Sequence, residues 1–162
     1  ETLRMLDGLV DIFLPDLKLF RQSLGEKYSG VPKYFNMPPS YPYDVRDDGT
    51  GQIGDDGLLK RGMIIRHLVL PWQWRDSCRC LDWIHETFGD DVFVSVMNQY
   101  MPIYKACLHP EINRPLTTLE YQKVIRHADE IGITKGFMQV GKTAEAKFIP
   151  NFNGDHVLAD AG

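Results

Sequence analysis

The sequence predicts an α/β domain with parallel strands, half of a TIM-like (β/α) barrel, and three observations carry that expectation. Two runs of aliphatic and β-branched residues, Met63 to Leu70 and Val92 to Met97, have the continuous apolar character of strands buried on both faces. A helix-type stretch lies between them and a second follows. The joining segments are short, which for parallel strands implies right-handed βαβ units.

Val10 to Leu14 is the first strand, and it delivers Asp16 and Lys18 just beyond its C-terminal end; Leu17 to Tyr28 then holds a short helix or turn. From Gly30 to Lys60 the composition turns to Pro, Gly and Asp (Pro38-Pro39, Pro42, Asp47-Asp48-Gly49, Asp55-Asp56-Gly57), which forbids a long helix through most of it. Residues 30–57 therefore read as an irregular insertion, expected to hold no helix longer than about two turns and the most mobile residues of the chain. A parallel crossover needs about a dozen residues or more, and this stretch supplies them. After the second strand, Asp76 to Phe88 reads as a helix with Asp76 or Ser77 as N-cap and Gly89 past its end. The third strand opens into Asn98-Gln99-Tyr100-Met101-Pro102. Thr117-x-x-Glu120 is a capping box for a helix whose apolar face is Tyr121, Val124, Ile125 and Ala128, ended by Gly132. Gly136 to Val140 is a short fourth strand.

Composition limits the functional classes. With 162 residues, 43% hydrophobic and 25% charged, the chain suits one domain with a substantial core, taken as residues 1–157 with a tail at 158–162. A net charge of -4 without runs offers no basic stripe for nucleic acid. No run approaches the ~20 apolar residues of a membrane span, and Glu1-Thr2-Leu3-Arg4 is no signal peptide, so the expected location is the cytoplasm. The chain starts without Met, in a helix-like stretch, which suggests a fragment. Cys78 and Cys80 lie two apart on a predicted helix and cannot readily share an ion; with Cys107 they read as thiols of a reduced protein.

This architecture gathers four polar groups at the strand C-termini, where ligands collect in β/α barrels. They are Asp16 with Lys18, Arg66 with His67, Gln73-Trp74-Arg75, and Asn98-Gln99-Tyr100. A strand-end Asp or Lys alone is more often a cap or a solvated charge. Arg66, inside an apolar strand, needs a partner such as a carboxylate. His67 faces the other side of the sheet and reads as a packed histidine bonded to backbone. An ammonium and a guanidinium held together call for an anion between them. Two other classes stay open: a self-contained small α/β domain binding an anionic ligand, and an interaction module built on Trp72, Trp74, Tyr41 and Tyr43.

The segments Val10-Asp11-Ile12-Phe13-Leu14-Pro15-Asp16-Leu17-Lys18 and Ile65-Arg66-His67-Leu68-Val69-Leu70-Pro71 resemble the C-terminal half of radical S-adenosylmethionine (SAM) proteins of the pyruvate formate-lyase activating enzyme type. The likeness is nearest to the uncharacterised iron-sulfur branch, which carries a similar LDG-VDI-LPD-K stretch, and it spans most of the chain outside residues 30–57. The resemblance implies that Lys18 approaches the methionyl carboxylate of SAM and Asp16 the ribose or a bound monovalent cation. It assigns Arg66 to the same cofactor and sets Val96 to Tyr100, with Asn98, Gln99 and Tyr100, beside the adenine. The implied whole protein would use a [4Fe–4S] cluster and SAM to generate a 5′-deoxyadenosyl radical, acting in the activating branch on a glycyl radical enzyme. The family's Cys-x-x-x-Cys-x-x-Cys loop is missing, so no catalytic or metal residue is expected in this chain, which should be inactive alone. The implied partners are the N-terminal half of the same protein and a glycyl radical enzyme, with no nucleic acid or membrane; a severed half-barrel should also self-associate through its open strand edge. Two departures stand out: Trp72 follows the strand's proline where the family often has Gly, and residues 30–57 show little helical periodicity. Phe148 to Gly154 resembles the family's C-terminal end, which sets the loss at the N-terminus.

Overall fold

A computed structural model describes residues 9–31 and 51–138. The elements are β1 (Ile12–Phe13), α1 (Gln22–Ser29), β2 (Gln52–Ile53), β3 (Leu59–Leu68), α2 (Trp74–Phe88), β4 (Phe93–Met97), a 3-10 helix (Tyr104–Leu108), α3 (Thr118–Glu130) and β5 (Gly136–Met138). Strands β1, β3, β4 and β5 lie side by side in that order, all parallel, and β2 pairs antiparallel with the start of β3. The chain is thus α/β around a parallel sheet, as its buried strand runs imply.

The first strand is shorter than its apolar run. Pairing with β3 starts at Ile12↔Gly62 and Phe13↔Met63, lapses, and resumes in the same register at Asp16↔Arg66. The lapse falls on Pro15, which has no N–H to donate to the ladder, although its carbonyl accepts from Arg66 N at 2.8 Å. The expected strand Val10 to Leu14 is therefore paired only over Ile12–Phe13, with an isolated bridge at Asp16 beyond the proline.

Alternation along β3 and β4 divides the sheet into two faces. Met63, Ile65, His67, Val94 and Val96 are buried; Ile64, Arg66, Leu68, Phe93, Ser95 and Met97 are half-exposed. The buried face packs against α2 through Cys80, Leu81, Ile84 and Phe88, and against α3 through Tyr121, Val124 and Ala128, in one apolar cluster. Both helices cover the same face. Tyr121 reaches through the cluster to donate its hydroxyl hydrogen to Val96 O at 2.8 Å. Helix α3 opens with the expected capping box: Glu120 N donates to Thr117 Oγ1, and the Glu120 carboxylate returns to Thr117 N.

Two local expectations are corrected. Helix α2 begins at Trp74 with Gln73 as its N-cap, not at Asp76 or Ser77, because both of those are buried within its first turn. Residues 52–60 form a hairpin instead of an irregular stretch: Gly54 N donates to Leu58 O, Gly57 N to Gly54 O, and the turn runs through Asp56-Gly57. The close approach of the two strands requires glycine at 62, where φ is +138° and a Cβ would stand 2.8 Å from the Gly51 backbone. The expectations for helix content and mobility within residues 32–50 lie outside the described residues, as do those for Gln139, Val140 and the tail. No helix among the described residues is long and apolar enough to cross a membrane.

Candidate functional site

The resumed pairing at Asp16↔Arg66 builds the site. Residues two apart in extended chain share a face, so Asp16 and Lys18 emerge together on the half-exposed side, while Leu17 between them enters the core under the helices. Parallel register sets Arg66 beside Asp16 on that same side. Lys18 Nζ stands 3.1 Å from Asp16 Oδ2, and Arg66 Nε stands 2.8 Å from Asp16 Oδ1. The carboxylate thus lies between the two cations. The anion that an ammonium and a guanidinium together demand is the protein's own Asp16.

Arg66 also differs from expectation in its burial: its side chain is 43% exposed, so the apolar strand does not bury the guanidinium. Its Nε atom is buried, however, and the N–H does not line up with any acceptor, so the contact with Asp16 is an ion pair without a directed hydrogen bond. Two cations and one anion leave the cluster with one net positive charge. Among the described residues the trio sits where β1 and β3 run out, and Asn98 and Gln99 leave β4 at the same end of the sheet. That follows from the parallel register Leu68↔Met97 and the Val69 N to Met97 O bond of 3.0 Å.

The other rim candidates divide. Tyr100 turns inward, packing with Leu19, Leu24, Leu70 and Ile112 and donating its hydroxyl to Ile112 O at 2.9 Å. Gln99 Nε2 approaches Met97 Sδ at 3.8 Å. Gln73 is buried in a polar chain that the sequence did not reveal: Arg21 Nη2 donates to Gln73 Oε1, Gln73 Nε2 to the Tyr28 hydroxyl, and that hydroxyl to Glu111 Oε1. Burial and the adjacent Glu111 carboxylate push the Tyr28 phenol well above its ordinary range. Trp74 lies between the cations of Arg75, 4.4 Å from its ring centre, and Lys123, at 4.6 Å. His67 is fully buried with Nδ1 2.6 Å from Leu17 O, the packed and backbone-bonded histidine that alternation implies.

The cysteines offer no cluster site. Cys80 is buried and its thiol pushed well up by desolvation; Cys78 is half-buried with its thiol raised to about 11 by burial and then by Asp82. Neither is a ready thiolate ligand. Among the described residues no group of three or more His, Cys, Asp or Glu could hold a metal ion.

The chain is 33% identical over 135 residues to an uncharacterized protein of Methanocaldococcus jannaschii. That match covers 82% of this chain and 36% of the relative, so the chain spans about a third of the length of the curated relative it matches. No protein-family profile matches the chain, and no solved structure does.

One further cluster borders the loop after β3. Trp72 takes φ of +63°, an uncommon conformation for a bulky residue, and is 67% exposed. Its N–H donates to Glu120 Oε1 at 2.7 Å, and the same carboxylate receives both terminal nitrogens of Arg114, at 2.7 and 2.9 Å. Burial would raise the Glu120 carboxyl, but Arg114, the Trp72 amide and Thr117 outweigh it and hold it down at about 2. A depressed carboxyl stabilises the fold above its ordinary value near 4.5 and ceases to do so as pH falls towards 2. Glu120→Gln should therefore cost about 2 kcal/mol at pH 7, with the deficit shrinking between about pH 4.5 and 2. Urea titrations of both proteins at several pH values would check this; a deficit independent of pH would rule out the charged contacts as its source. Of the residues expected to form an aromatic contact surface, Trp72 is exposed, Trp74 is partly covered, and Tyr41 and Tyr43 lie outside the described residues.

Proposed function

We propose that this chain is the SAM-binding half of a radical SAM iron-sulfur protein of the pyruvate formate-lyase activating enzyme type. The observation that supports this reading best is the meeting of Lys18 and Arg66 on the two oxygens of Asp16 at the C-terminal edge of a parallel sheet. That trio combines what the amino and carboxyl groups of a methionyl moiety need: a carboxylate for the ammonium, and two cations for the carboxylate. The Arg66 side chain, 43% exposed, and the Lys18 ammonium, which has three donors, leave hydrogen-bonding capacity for a second anion. The residues present therefore fit SAM.

The consecutive strand order β1, β3, β4, β5 and the placement of α2 and α3 on one face support a partial (β/α) barrel, whose interior would be the half-exposed side that carries Arg66. Doubly wound sheets reverse strand order and carry helices on both faces. In this reading Asn98 and Gln99 border the adenine, while Tyr100 braces their loop from within.

The chain's three cysteines do not fit a [4Fe–4S] cluster, so its ligands would lie in another part of the whole protein. Bound at such a cluster and given one electron by it, SAM would yield methionine and a 5′-deoxyadenosyl radical for hydrogen abstraction. This chain's own groups would orient the methionyl end and hold its charge. A glycyl radical enzyme is the proposed substrate class, and the cytoplasm the proposed location.

Lys18→Ala and Arg66→Ala in the full-length protein should each weaken SAM binding by about 1.5–3 kcal/mol, as expected for a lost charge-assisted hydrogen bond. Half-exposed ion pairs contribute only about 0–1 kcal/mol to folding, so both variants should remain folded, and cluster absorbance should be retained. Isothermal titration with SAM makes the measurement. Unchanged affinity in both variants would overturn the assignment, and equal affinity for simple carboxylates lacking the adenosyl group would favour a small anion-binding domain.

A further inference from the structure

We propose that His67 is the positioning residue of the Asp16, Lys18 and Arg66 rim: from the buried face its ring replaces a backbone rung at Leu17 and thereby fixes where Asp16 and Lys18 stand. This inference rests on the reading of that rim as the seat of the methionyl end of SAM.

At the Asp16↔Arg66 bridge, Arg66 N donates to Pro15 O at 2.8 Å and Leu17 N to Arg66 O at 2.9 Å. Regular parallel pairing would continue from Leu68 N to Leu17 O. Among the described residues that rung is not formed, and Leu17 O accepts instead from His67 Nδ1 at 2.6 Å. The exchange ends the strand pairing without leaving the Leu17 carbonyl unsatisfied. The chain is then free to turn away, and three residues later Phe20 N is caught by Asp76 Oδ2 at 2.8 Å. Lys18 lies between two fixed points, the Leu17 carbonyl and the Phe20 amide. Its ammonium meets Asp16 because that short span has little freedom.

The choice of histidine supports the same conclusion. A carbonyl only accepts, so Nδ1 carries the proton and Nε2 holds a lone pair. Nε2 is buried and without a partner. An apolar residue at position 67 would avoid that orphaned acceptor, so packing alone does not account for a histidine, whereas the Leu17 carbonyl does. Burial lowers the ring's pKa and outweighs the Leu17 carbonyl and the nearby Asp76 carboxylate, both of which raise it, so the net effect favours the neutral imidazole.

The test compares the full-length wild-type protein with His67→Phe, which removes the donor, and His67→Asn, whose amide nitrogen can occupy the place of Nδ1. SAM affinity by titration and hydrogen exchange of the Leu17 to Leu19 amides are the two readouts. We expect His67→Phe to bind SAM about tenfold more weakly with faster exchange, and His67→Asn to recover to within about threefold. Wild-type affinity and exchange in His67→Phe, or an equal loss in His67→Asn, overturns the proposal. Should His67→Phe not fold, the ¹⁵N spectrum of the wild-type imidazole decides: a neutral, Nδ1-protonated ring supports the proposal, and an Nε2-protonated or cationic ring overturns it. If wild-type protein does not bind SAM at all, the functional reading fails by itself, and the exchange rates still decide whether His67 fixes the rim.

Discussion

Asp76→Ala should destabilise the domain by about 3 kcal/mol. The Asp76 side chain is 1% exposed, and its two oxygens accept from Phe20 N at 2.8 Å, Arg21 N at 3.1 Å and Arg21 Nε at 2.9 Å. Truncation leaves two backbone donors without an acceptor in a part-buried place, each worth about 1–3 kcal/mol, and separates the guanidinium from its partner. The Arg21 side chain is 44% exposed and regains water, which keeps the expected loss at the lower end of the range for broken buried pairs. The same carboxylate lies in the first turn of α2, where negative charge is favourable, so a smaller helix-end contribution is lost as well. Chemical denaturation measures the sum. A loss below about 1 kcal/mol would show that these contacts are replaced by water at little cost.

Leu81→Ala should cost about 3–4 kcal/mol by a different physical route. Leu81 is fully buried on α2, in the cluster that joins both helices to Val94 and Val96. Removing the methine and both methyl carbons forfeits transfer free energy and leaves a cavity that flanking strands cannot collapse to fill. Leu119→Ala on α3 serves as the control, since Leu119 is 60% exposed and its truncation should stay within about 0.5 kcal/mol. Equal losses in the two variants would mean that the core is placed wrongly.

The parallel strands were legible because β3 and β4 hold continuous runs of aliphatic and β-branched residues, although the structure buries only one face of each fully, and α3 because Thr117 and Glu120 are three apart. The start of α2 was illegible for a definite reason. Asp76 has the composition of an N-cap, but its carboxylate serves amides 55 and 56 residues away, and no local pattern announces a partner at that distance. The small hairpin at β2 was missed because its strand is only two residues long, although Asp56-Gly57 is a turn signal. At the rim, the residue types at 16, 18 and 66 were readable; the pairing of both cations with Asp16 was not, since it depends on the register across Pro15. Tyr100 shows the remaining gap: nothing in Asn98-Gln99-Tyr100 says which of the three turns towards Leu70 and Ile112.

The Asp76 clamp has an evolutionary consequence. Together with the β1–β3 pairing it closes a loop of chain between Phe20 and Asp76, positions 56 apart, at the two ends where the rim is held. The entropy of closing a flexible loop grows only with the logarithm of its length, so doubling it would cost about 0.6 kcal/mol. Natural selection can therefore lengthen or shorten the part of this stretch that joins α1 to β2 while Asp16, Lys18 and Arg66 keep their places after β1 and on β3, and relatives should differ most there in length and least in those three positions.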